Sequence, residues 1–194
     1  MTLGQMERLL EPQFVQLEPN SALLLAAEEH AQDEVEPIIK GVDSSVAALT
    51  ESARGRLRLA ALIGEDADDP RAVATAVSTT LFGSGSAPDD HYTSSDGTAT
   101  AFFAGSAQAD YYDPRNSFMD VVLERRIGIP ITLSLVYCEV CERLGMPMVG
   151  LNAPSHLLVA PADTALDFVV DPFGGGAILN ADAAARYVRS GSNP

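Results

Sequence analysis

The chain contains no tryptophan, two cysteines and three histidines, and its 12 basic residues face 27 acidic ones. Each scarcity excludes a class of function. With so few basic residues the net charge is -15, a field that repels phosphate backbones and anionic lipid headgroups alike. Neither a nucleic acid nor a membrane is therefore an expected partner, which leaves a protein or a small molecule. The two cysteines, Cys138 and Cys141, sit three residues apart in an apolar periodic stretch. A helix at that spacing does not readily close a disulfide, so buried, reduced thiols in a cytoplasmic protein are expected. As a zinc site the pair would need two further ligands, and there is no second cysteine pair, so no metal and no cofactor are expected. No segment has the length and apolarity of a membrane span, and the opening MTLGQMERLLEP does not read as a signal peptide.

What is present suits a globular protein. Hydrophobic residues make up 46% of the chain and charged residues 20%. No internal repeat is visible. The first half, 1–82, reads as helical. Asn20 or Ser21 caps a helix through SALLLAAEEHAQ, Pro37 marks a break or a first turn, Gly41 marks another break, and Asp43 or Ser44 caps a long helix that Gly64 ends. Pro70 opens the next helix, RAVATAVSTTLF. From 83 to 108 the composition turns to Gly, Ser, Thr, Asp and Ala, which predicts a long flexible loop holding His91.

The remainder, 109–194, is better punctuated. Asp113, Arg115 and Asn116 suit a turn and helix cap. Asn116 or Ser117 caps a short helix, SFMDVVLERR, stopped by Gly128. Pro130 stands at the first position of PITLSLVYCEVCERLG, where a missing N–H costs nothing. The β-rich runs PMVGLN, HLLVAP and LDFVVD follow, then an amphipathic helix, ADAAARYVRS. Helices first and strands afterwards predict an α+β layout with an antiparallel sheet.

His156 begins one β-run and Asp171 ends the next. Two antiparallel neighbours joined by a turn bring such residues together, and a carboxylate orients an imidazole as in a catalytic pair. The same pair, hydrogen-bonded and buried, equally serves to pin two strands. The DPFGGG turn after Asp171 is glycine-rich but lacks the lysine and spacing of a phosphate loop.

The motifs NSF, GIP, LSLVY, RLGMP, PSHLLV and DPFGGG occur in order between Tyr111 and Gly176. In this pattern the chain resembles the transglutaminase-like superfamily, in particular its bacterial Sir B type branch, and the related domain of some eukaryotic F-box proteins. The resemblance implies a papain-like core, with a central helix packed on an antiparallel sheet, preceded here by a helical N-terminal region. It also implies that His156 and Asp171 take the histidine and aspartate positions of a Cys–His–Asp triad. Counting back from Leu144, the superfamily's cysteine position falls on Pro130, as the branch's own GIP does. Ser155 and Leu157 depart from the branch, which has glycine and phenylalanine there. Thr132, Ser134 and Cys138 are the nearest alternative nucleophiles. The bland role of the two hydroxyls is hydrogen bonding and packing at the helix start. The expectation is a binding or regulatory module without the usual cysteine. Its alternative is an acyl-transfer, amide-bond or cyclisation enzyme using His156 and Asp171.

Overall fold

The structure is a computed structural model that describes residues 14–15, 35–83, 102–153, 156–163, 168–180, 182–184 and 186, with only the backbone described at 14, 15, 35, 153 and 156. In chain order the elements are β1 (Phe14–Val15), α1 (Val35–Leu62), α2 (Pro70–Phe82), β2 (Ala104–Gly105), α3 (Met119–Arg125), β3 (Ile127–Gly128), α4 (Pro130–Arg143), β4 (Met148–Ala153), β5 (His156–Pro161), β6 (Phe168–Asp171) and β7 (Ala177–Asn180). The helix read over SALLLAAEEHAQ and residue His91 lie outside the described residues.

Proline sets two helix starts. Pro70 and Pro130 open α2 and α4, and Asp69 caps α2 by accepting from the Arg71 N–H at 3.3 Å. Elsewhere local signals mislead. Gly41 does not break α1 but lies on its exposed face, whereas Pro37 takes the first-turn place, one of its two readings, where no helical partner is required of its nitrogen. The N-cap of α3 is Phe118, and Asn116 belongs to a preceding 3-10 turn, Pro114–Asn116, capped by Asp113. Arg126, in the left-handed region at φ 57°, ends α3 before Gly128 is reached. The stretch read as loop to residue 108 carries β2, which pairs in parallel with β3, and Phe103 is buried in the core.

The main sheet runs β1-β4-β5-β6-β7 with every pair antiparallel. Strand β7 escaped the sequence reading. The two-residue period of a strand divides the sheet's apolar residues between two clusters. Met148, Val159, Phe168 and Val170 join the main core with α1, α2, α3 and α4. Leu151, Leu158, Ala160 and Val169 form a second cluster with Ala184, which belongs to the helical turn at 182–184. The architecture is α+β: a central helix, α4, packed on an antiparallel sheet and joined by the N-terminal helices.

Helix α4 is buried almost throughout, so each neighbour must satisfy its polar groups. The Tyr137 hydroxyl donates to Ala74 O at 3.0 Å and lies 3.2 Å from Ser78 Oγ, which ties α4 to α2. At the other end, Arg143 donates to Glu139 Oε1 at 2.8 Å and to Asp43 Oδ1 at 2.7 Å, while Arg54 of α1 donates to Arg143 O at 3.2 Å. Among the described residues no helix is long and apolar enough to cross a membrane.

Candidate functional site

The start of α4 is built by close approach. At Gly128 a Cβ would lie 2.6 Å from Thr132 Oγ1, so only glycine lets β3 run directly against the first turn of α4. Thr132 is buried, and its hydroxyl is fully used. It accepts from Ile129 N–H at 3.0 Å and lies 3.1 Å from both Asn116 O and Ile129 O, either of which can take its proton. This supplies half of a capping box. Asn116, also buried, donates from Nδ2 to Asp110 O at 2.8 Å and accepts from Arg125 at 3.4 Å. Asp113 holds Arg115 through a bidentate pair, and that guanidinium keeps the Asp113 carboxyl below its usual range.

Ser134, two residues further on, is buried, and its hydroxyl has no hydrogen-bond partner among the described residues. Cys138 and Cys141 are buried as free thiols. Burial, with the charges of Glu139 and Glu142 added, pushes Cys138 up to about 12, and burial raises Cys141 well above its ordinary value. A thiol so raised is not a nucleophile near neutral pH. Pro130 itself is half-buried and Ile131 exposed.

The second part of the site lies at the strand ends. Val159 pairs with Val170 and Asp171 with Ala177, so Asp171 stands beside Leu158 in the ladder. Position 156 lies two residues before Leu158 on β5. The register thus places positions 156 and 171 one diagonal step apart in the alternation set of Leu158 and Val169. The side chain of His156 lies outside the described residues. Asp171 is buried, and its Oδ1 accepts from Gly174 N–H at 2.8 Å, while Gly176 N–H donates to Asp171 O at 2.8 Å. The carboxylate therefore anchors the turn that follows it.

That turn reaches back toward α4. Its Phe173 ring occupies the space a Cβ at Gly105 would need, 2.7 Å away, and Gly105 pairs with Gly128 at the foot of α4. The structure so brings Thr132, Asn116 and the turn of Asp171 around the small β2–β3 ladder. It leaves Ser134 and Cys138 further along α4 inside packing. Sequence reasoning took Asn116 for a cap and did not find its three-way bonding, for which the only signal was an asparagine sixteen residues before Thr132.

A family model described as the transglutaminase-like superfamily matches residues 90–194. The chain belongs to this superfamily. A UPF0162 protein of Xylella fastidiosa (strain 9a5c) is 47% identical over 81 residues, covering 41% of this chain and 28% of that protein. F-box only protein 21 of Mus musculus is 41% identical over 75 residues, covering 34% of this chain and 12% of that protein. The UPF0162 protein of Pseudomonas aeruginosa is 34% identical over 76 residues, 39% of this chain and 27% of its own length. The chain spans less than a third of the length of these curated relatives. No solved structure matches. Bacterial relatives and F-box proteins are the two groups the motifs pointed to. Among the described residues, no group of three His, Cys, Asp or Glu side chains is arranged to hold a metal.

Proposed function

We propose that this transglutaminase-like domain works as a binding or regulatory module without the superfamily's nucleophilic cysteine. The observation that carries the reading is the start of α4, where a thiolate activated by the helix dipole would have to stand. That place holds Pro130, whose ring has no group able to attack a carbonyl. The neighbouring hydroxyl of Thr132 is committed to Ile129 and Asn116. Ser134, Cys138 and Cys141 are sealed within the core. On this reading Asp171 organises its turn and, with position 156, the ends of two strands. The surface around it then serves recognition of a protein or a small molecule.

The test is an assay of the wild type, His156→Ala and Asp171→Ala against amide and thioester substrates, with folding followed by circular dichroism. The expected result is no turnover by any of the three. Turnover by the wild type that disappears in both folded variants would replace the module with an acyl-transfer or amide-bond enzyme.

A further inference from the structure

A groove of about 440 Å³ opens on the side of the molecule where α1, the first turn of α2 and the turn after α4 meet. Its volume falls within the range of about 300–1,000 Å³ usual for small-ligand sites. Two parts of the chain build it. Arg54 to Val73 precede the region that matches the superfamily, whereas Leu144 to Met146 lie inside that region. The floor is apolar: Leu57 and Val73 from the helices, Leu144 and Met146 from the turn. Val73 and Met146 are buried and Leu57 and Leu144 half-buried, so the apolar surface is continuous with the main core.

The rim is charged. Arg54 is already committed, to Glu51 and to the carbonyl of Arg143. Arg58, one helical turn further on, lines the same groove and is exposed, with no hydrogen-bond or ion-pair partner among the described residues. Asp68 lines the opposite helix junction, and it forms no ion pair with Arg58. An unpaired guanidinium beside an apolar floor presents a planar fork of donors that fits a carboxylate. Asp68 on the same rim repels a second negative charge, which disfavours polyanions.

We propose that this groove binds an apolar monocarboxylate, with its hydrocarbon body over Leu57, Val73, Leu144 and Met146 and its carboxylate on Arg58. The chemistry is shared by a free aliphatic acid and by a peptide ending in an apolar residue. The site is separate from the start of α4, and its occupation does not depend on whether that start is catalytic.

Isothermal titration of the full chain with octanoate, octanamide, and the peptide acetyl-Ala-Leu-Leu as free acid and as C-terminal amide tests the proposal. Octanoate is expected to bind about fivefold more tightly than octanamide, the gain an exposed ion pair supplies at its upper end. Arg58→Gln removes that preference and leaves octanamide unchanged. Asp68→Asn strengthens octanoate binding, because a like charge has gone. A free-acid peptide that outbinds octanoate identifies a chain terminus as the natural source, and the reverse order identifies a free acid. Equal binding of acid and amide, an unaltered preference in folded Arg58→Gln, or no binding of any probe would overturn the proposal.

Discussion

Thr132 Oγ1 lies 3.1 Å from the backbone oxygen of Asn116, sixteen residues earlier, and both residues are buried. One hydroxyl therefore joins the 3-10 turn, the end of β3 and the first turn of α4. Two residues on, Ser134 has the opposite role, since its buried Oγ has no partner among the described residues. Thr132→Val keeps the shape but leaves Ile129 N–H without its acceptor, and should cost about 1–3 kcal/mol. Ser134→Ala removes an unsatisfied group and should be neutral or stabilising, within about 1 kcal/mol. Urea midpoints at unchanged m-value measure both. Similar losses in the two variants would remove this division of roles.

Among the described residues Arg143 is the one partner of the Glu139 carboxylate, which is almost fully buried. Arg143→Ala leaves that charge uncompensated and should destabilise the protein by about 3 kcal/mol. Adding Glu139→Gln in the Arg143→Ala background should recover part of the loss, because the buried group is then neutral. A double-mutant cycle in urea gives the coupling, and additive losses would show that the pair is not a unit.

Base should weaken the fold through the α4 thiols. In the unfolded chain each cysteine ionises near the ordinary thiol value of 9.0, whereas burial keeps Cys138 protonated up to about 12. Above pH 9 the unfolded state thus holds fewer protons than the native state, and stability falls as pH rises toward about 12. The slope is about 1.4 kcal/mol per pH unit for each such group. Below pH 9 this contribution is fully present. Cys138→Ala should flatten the decline in urea midpoints, and native thiols should react with a labelling reagent only as fast as the protein opens.

The sequence was legible where a residue type forces one local outcome. Pro70 and Pro130 mark helix starts because a ring without an N–H fits the first helical position. The run HLLVAP is a strand over its whole length, as a short apolar run bounded by turn residues suggests. Strand β7 was missed because its four residues, AILN, are too few to show a period, and only pairing with β6 makes them extended. Two-residue strands such as β2 and β3 carry no period at all. Gly128 was taken as a stop signal, whereas its value lies in the space it leaves for Thr132. At the site, Pro130, Thr132 and Asp171 were visible as positions, but the bonds of Asn116 and the reach of Phe173 are products of tertiary packing.

The sheet's connectivity has a kinetic consequence. From β4 to β7 each strand pairs with the next, so these contacts close short loops and lose little chain entropy. The attachment of α1 is different: Asp43 meets Arg143 across 100 residues, and β1 meets β4 across a longer span still. Contacts of that separation are expected to form late, because closing so long a loop costs more chain entropy. Weakening the α1 seam, for instance at the fully buried Val46, would then hasten unfolding far more than it slows folding, so resistance to proteolysis and heat inactivation resides in the last element to dock.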